Sequence, residues 1–438
     1  MKISKVRLRE FGLLLVFKAL LDVVYVLFIH PRWGYYGFSM QLDGLKLLES
    51  YLLLISLFFF LPRGEGRVSA VGINLLFIMM VAPTLSLYAM KNESRTFMYL
   101  FIGGFWLTLL TIRVLPRVRI TRIKSSSSAL LIGLCGVSFL VYVALFTVRG
   151  VPTLHSLNLW LVYEVRTAFY AQGLPGIMGY LISWQANVIN SFLIGLAWYR
   201  RRYLGVVALL ALQLLLFLFT GLKSFLLAPI LVLFLLYAVE KKRVLELILK
   251  GFIISTSFSF VFYALGGSIM VPSILIRRLF FTPAQNYFYY YDFFSHHQLM
   301  YLAGSHLNPF FANPYGMRIT NMIGSLYYGQ PGMSVNTGYL ADAYMNFGAL
   351  GIVIFSVFLG VFLVILDSLG KRTNTAIAVA AIAIPLVTLV NSAFFTTLLT
   401  HGFLLSMLVL WLYSRRPSQG VTLTTLSRSV FSRRKGIE

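Results

Sequence analysis

The sequence predicts an all-α, polytopic integral membrane protein with about twelve transmembrane helices, and three observations predict it. Of the 438 residues, 59% are hydrophobic and only 11% charged, with a mean hydropathy of +0.82. A soluble chain of this length cannot bury so much apolar surface. Apolar runs of about 20 residues, long enough to cross a bilayer as helices, recur along the chain. Basic residues concentrate in alternate connections between those runs.

The runs fall at roughly 11–29, 47–62, 69–90, 97–112, 129–147, 177–198, 204–220, 225–239, 248–266, 345–366, 376–395 and 401–413. The first, "FGLLLVFKALLDVVYVLFI", lacks a small-residue cleavage site and reads as a retained span. Lys18 and Asp22, one turn apart within it, read as a neutralising pair. Spans two to five follow with short connections. Span five carries Cys135, the single cysteine, so no disulfide framework is expected. A long segment at 148–176 separates spans five and six. Spans six to nine are joined tightly through "YRRRY", "TGLKSF" and "EKKRV". A second long segment, 267–344, leads into span ten. Both are rich in Tyr, Phe, Trp, Asn and Gly, which is not a disorder composition, so they are expected to be ordered and docked on a single transmembrane domain covering 1–438. The Ser-, Thr- and Arg-rich end at 417–438 reads as a cytoplasmic tail.

An even span number puts both termini on one side. That side receives 26 of the 37 basic residues, among them Lys2, Lys5, Arg7 and Arg9, Arg113, Arg117 and Arg119, Arg200 to Arg202, Lys241 to Arg243, and Arg415 and Arg416. The positive-inside rule makes it cytoplasmic. The net charge of +24 is therefore an orientation signal and a contact with anionic headgroups, and nucleic acid is not expected as a partner.

Ten cations are expected outside, and the clustered ones are Arg149 and Arg166 in the first long segment, Lys223 in "TGLKSF", and Arg277 and Arg278 at the start of the second. Arginine stays charged and its planar fork binds phosphate oxygens in pairs, so a convergence of such groups suits a diphosphate. The competing reading is that each anchors a span end at the headgroups. The outside carboxylates in the best settings are Glu164 and Asp342; helix capping or ion pairing is the alternative for each. His296 and His297 are further candidates for a general base; adjacent histidines do not converge easily on one ion, and no other cluster has metal-ligand spacing, so no metal is expected. Tyr290 and Tyr291 sit in "NYFYYYDFF", which is either an interfacial aromatic belt or a platform for sugar faces. Tyr339, Asp342 and Asn346 share one helical face at the head of span ten. That face cannot meet lipid and must look at protein or a wet cavity. Gly348 and Gly351 in "NFGALG" are expected to let this span pack closely on its neighbours. Neither a G-x-x-x-x-G-K-[ST] loop nor a strand-borne G-x-G-x-x-G is present, so any bond-forming chemistry would draw on an already activated substrate, and no cofactor is expected.

"FTVRGVPTLHS" with "VRTAFYAQGLPG", then "TGLKSFLLAPILVLF", "RRLFFTPAQNYFYYYDFF" and "NTGYLADAYMNFGALGIVIFSVFLG" together resemble, in order and spacing, the outer segments of bacterial oligosaccharide repeat-unit polymerases, the Wzy-type O-antigen and capsule polymerases. The resemblance covers most of 147–363; Lys223 stands where arginine is commoner. It implies a metal-independent glycosyltransferase of GT-C-type architecture on the outer face of the bacterial cytoplasmic membrane. Such an enzyme joins undecaprenyl-diphosphate-linked repeat units into a polysaccharide. It further implies that Arg149, Arg166, Lys223, Arg277 and Arg278 meet the leaving diphosphate, and that Asp342 or Glu164, then His296 or His297, serves as base. Asn336, Tyr339, Tyr344 and Asn346 would position sugar hydroxyls. A chain-length regulator and a flippase are the partners it suggests, beside membrane lipids. The rival readings are an O-antigen ligase or another lipid-linked-sugar glycosyltransferase, a flippase or transporter of the same lipids, and a non-catalytic scaffold.

Overall fold

The computed structural model describes residues 5–62, 66–121, 127–152, 154–158, 160–171, 176–303 and 312–413. The tail at 417–438 lies outside them. Among the described residues there is no strand. Ten helices are long and apolar enough to cross a membrane: α1 (Lys5–Tyr36), α3 (Val68–Met90), α4 (Arg95–Val114), α5 (Ser127–Arg149), α7 (Gly176–Tyr199), α8 (Tyr203–Thr220), α9 (Lys223–Glu240), α10 (Val244–Ala264), α13 (Tyr339–Thr373) and α15 (Phe394–Leu412). The other two expected spans correspond to shorter helices, α2 (Gly44–Phe60, 17 residues) and α14 (Thr375–Thr388, 14 residues). Three further helices belong to the long segments: α6 (Val162–Ala171), α11 (Thr282–His296) and α12 (Ile319–Tyr328).

The centre is built by helices that are apolar all round, as a buried helix must be. Residues 376–386 of α14 are buried without exception, and α3 is buried along its whole apolar stretch, whereas α5 leaves most of its apolar stretch uncovered by protein. α13 runs against α4, where a side chain at Gly104 would meet Ile352 at 2.6 Å and one at Gly360 would meet Thr111 at 2.5 Å. Helices in lipid associate through such close approach and through buried hydrogen bonds. Those bonds form a chain across α5, α7 and α8: Ser138 Oγ donates to Gln185 Oε1 (3.1 Å), Gln185 Nε2 to Asn190 Oδ1 (2.8 Å), and Asn190 Nδ2 to Gln213 Oε1 (2.7 Å). Each is worth about 0.6 kcal/mol in lipid. They stiffen a second apolar cluster, distinct from the main core, which Val162 and Phe169 of α6 cover.

Several charges inside or beside the spans are paired. Lys18 Nζ lies 2.8 Å from Asp22, which also accepts from Tyr51 (2.9 Å). Toward the ends of the spans where the basic connections lie, Asp367 holds Arg67 (2.9 Å), Glu240 holds Arg201 (3.2 Å), and Glu246 holds Arg9 (3.3 Å), Lys250 (2.8 Å) and Arg243.

One expectation is corrected here. Gly348 and Gly351 do not serve contact with neighbouring helices. Gly348 has φ +60 and ψ −144, a conformation closed to residues with a side chain, and it breaks α13 after Asn346. A side chain at Gly351 would meet the helix's own Ala343 carbonyl at 2.0 Å. The glycines let the short polar head, residues 339–346, sit offset against the long apolar remainder.

Candidate functional site

The turn between α8 and α9 carries the first element of the site. Gly221 takes φ +63, and a Cβ there would lie 2.9 Å from the Val162 carbonyl and 3.1 Å from the Arg166 nitrogen. Only glycine lets α6 rest on this turn. The contact brings Tyr163 over the first residue of α9: the Lys223 ammonium lies 4.8 Å from the Tyr163 ring centroid. The Arg278 guanidinium approaches the same ring to 5.7 Å. Its neighbour Arg277 lies 4.7 Å from the Trp33 ring and 5.8 Å from Tyr36, and donates to Ser273 Oγ (3.0 Å). Both arginines sit on a π-helical stretch, Ser273–Phe281, that runs into α11; such irregular turns are enriched at functional sites. Burial, and then the charge of Arg278, hold the Arg277 pKa below the ordinary arginine value.

Arg166 is carried on α6 itself. With Tyr163, Thr167 and Tyr170 it forms one wall of an open cleft of about 1030 Å³, whose other wall is residues 329–333. Gln330 ties that wall to the arginines by donating to Tyr36 Oη (3.2 Å). α11 fixes the same segment, with Asn286 Nδ2 donating to the Asn336 carbonyl (2.9 Å) and Tyr290 Oη to the Val335 carbonyl (2.8 Å). Burial, with the Asp342 charge second, raises the Tyr290 pKa, so the phenol keeps its proton and donates.

The charge balance sets this region apart. Among the described residues no carboxylate lies within 4.0 Å of Arg166, Lys223, Arg277 or Arg278. Aromatic faces hold all four in place, Arg166 lying 5.9 Å from the Tyr170 ring, and each such contact at an exposed site is worth about 0.5–1 kcal/mol. An aromatic face positions a cation without neutralising it, which leaves the group free to meet an anion.

The other expected site residues do not line the cleft. Arg149 donates to the carbonyls of Phe169 (2.6 Å) and Ala168 (3.4 Å) at the C-terminal end of α6, where a cation complements the helix dipole. Glu164 is exposed in the first turn of α6, beside Tyr163. His296 and His297 close the end of α11: their Nδ1 atoms lie 3.0 Å and 2.8 Å from the carbonyls of Asp292 and Phe293. A carbonyl only accepts, so each Nδ1 carries hydrogen. Tyr291 stacks on Phe97 (4.7 Å) and Tyr344 packs on Tyr291 (4.8 Å), which makes both part of an aromatic contact between helices. Asn336 is exposed and Tyr339 buried. Among the described residues no three His, Cys, Asp or Glu side chains group as metal ligands would.

Asp342 and Asn346 form a buried clamp. Asp342 Oδ2 accepts from the Phe394 amide (2.8 Å) and Oδ1 from Asn346 Nδ2 (3.0 Å), while Asn346 Oδ1 accepts from the Leu302 amide (2.8 Å). The head of α13 thereby fixes both the start of α15 and the stretch after α11. Both residues line a second, more enclosed cavity of about 240 Å³. Sequence reasoning missed the aromatic partners Trp33, Tyr36 and Tyr163 and the wall around Gln330. "PRWGYYG" and "YGQPGM", aromatic and Gly/Pro-rich beside apolar runs, were the signals on offer.

Comparison with protein families, with curated proteins and with solved structures finds no match for this chain.

Proposed function

We propose that this protein is a glycosyltransferase that joins lipid-diphosphate-linked oligosaccharide units, with Arg166, Lys223, Arg277 and Arg278 receiving the diphosphate. The observation that carries the reading is the gathering of these four cations, without a carboxylate, beside a wide cleft formed by the two long segments. In this reading the cleft faces the outside of the bacterial cytoplasmic membrane, both termini are cytoplasmic, and the substrate is an undecaprenyl-diphosphate-linked glycan.

The acceptor hydroxyl oxygen attacks the anomeric carbon of the donor glycan and passes its proton to a base. The bond from that carbon to the diphosphate oxygen breaks, and the lipid diphosphate leaves with the electron pair. Negative charge grows on the leaving group, so preorganised cations lower the barrier. Glu164 is the proposed base, because among the four candidates it alone is carried by the helix that walls the cleft. Arg149 acts by holding α6 in place, and Asp342 by binding and positioning rather than by taking the proton.

The test is glycan length on a gel, from cells lacking the gene and complemented with wild type or Arg278→Ala, with membrane insertion checked for each. The polymerase reading expects a single repeat unit in the deletion, a ladder with wild type, and none with Arg278→Ala. Long glycan stranded on its lipid carrier in the deletion would instead mark a ligase. An unchanged ladder in the deletion would remove the reading.

A further inference from the structure

We propose that the cavity lined by Asp342 and Asn346 is a subsite for one sugar ring of the acceptor glycan, separate from the cationic cleft. The proposal rests on the glycosyltransferase reading and adds where the second substrate is held.

Size is the first argument. Pockets for drug-sized ligands start at about 300 Å³. At about 240 Å³ this cavity takes a single small ring, whereas the cleft of about 1030 Å³ takes a larger group.

Chemistry is the second. Asp342 is only 3% exposed, and among the described residues no cation lies within 4.0 Å of its carboxyl group. A carboxylate offers about four lone-pair sites, of which the Phe394 amide and Asn346 fill two. A buried carboxyl group with spare hydrogen-bonding capacity calls for polar partners. With no cation beside it, the cavity suits neutral vicinal hydroxyls better than a diphosphate. Thr320, Thr337, Thr396 and Thr400 add hydroxyl groups around the wall, and Phe395 supplies an apolar face.

Placement is the third. One stretch of chain serves both sites: residues 329–333 wall the cleft and Thr337 walls the cavity. Four residues span at most about 14 Å, a distance a short oligosaccharide bridges. The Val335 amide donates to the Thr320 carbonyl (3.0 Å), and Val335 in turn accepts from Tyr290, so the spacing between the sites is fixed by α11 and α12. A ring seated by Asp342 would leave the sugars attached to it within reach of an anomeric carbon at the cleft.

The experiment is saturation-transfer NMR on the full-length protein in nanodiscs. The probe is the oligosaccharide released by mild acid from the lipid carrier of the producing cells; it lacks both lipid and diphosphate and has no call on the cations. Wild type is compared with Thr396→Trp, which fills the cavity from an exposed position, with Ala303→Leu, and with Arg278→Gln, all with melting temperatures checked. The expected result is saturation concentrated on one sugar residue, lost in both filling variants and kept in Arg278→Gln. No saturation with wild type, or saturation that survives both filling variants, overturns the subsite. The two readings fail separately. A full glycan ladder in the deletion strain defeats the polymerase, while a missing ladder together with no binding at the cavity defeats the subsite alone.

Discussion

At the scale of single residues, an exposed charge and a buried one answer different needs. Arg278 touches the Tyr163 face and no carboxylate holds it, so its removal costs the fold little and the chemistry much. Arg278→Ala is expected to lower turnover by about 10²–10³, the usual effect of losing one preorganised donor to a developing anion, with an unchanged melting temperature. Asp342→Asn should do the reverse to stability. The amide that replaces one oxygen turns a donor toward the Phe394 amide or the Asn346 side chain, where only an acceptor fits. A loss of about 1–3 kcal/mol follows, read as a lower melting temperature in detergent. The cations of the cluster were legible in the sequence, because alternation of basic connections assigns each one a side. Their freedom from carboxylates was not. It depends on which acids fold toward them, and a paired acid can lie hundreds of positions away from its cation, as in Arg9–Glu246 and Arg67–Asp367. Asp342 and Asn346 were legible as a polar helical face, but their use as a clamp on Phe394 and Leu302 was not, since both partners are backbone amides.

At the scale of elements, the positions of α6 and α13 hinge on glycine. Gly221→Ala would strain a backbone at φ +63 and drive a Cβ against Val162 and Arg166. The helix must lift from the turn, separating Tyr163 from Lys223. The expected outcome is a protein that inserts and folds but has lost most of its activity, checked by glycan length beside a melting curve. Gly348→Ala meets a φ of +60 with ψ −144, a conformation that costs on the order of 1–3 kcal/mol, and should lower the melting temperature accordingly. The glycines of "NFGALG" were visible as a pattern. Their role as a break, and not as a packing stripe, follows from dihedral angles that no spacing rule encodes. The short α2 and α14 show the same limit from the other side. α14, enclosed by protein, has no lipid thickness to match along its own length, so apolar run length overstates how regular the helix is.

At the scale of the whole molecule, the membrane class was the most legible feature, because bilayer thickness imposes it on every apolar run. The sidedness argued from charge makes a prediction of its own. In a Cys135→Ser background, Thr167→Cys on the cleft wall should react with an impermeant thiol reagent added outside intact spheroplasts, and Lys371→Cys only after lysis; the reverse pattern would invert the topology. The central claim is that the cationic cleft binds a lipid diphosphate, and native mass spectrometry of the purified protein with undecaprenyl diphosphate tests it most directly. The account predicts one bound lipid on wild type, at least tenfold weaker binding by Arg166→Gln/Arg278→Gln, and weaker binding of undecaprenyl monophosphate. Equal affinity of wild type and the double variant for the diphosphate would contradict it.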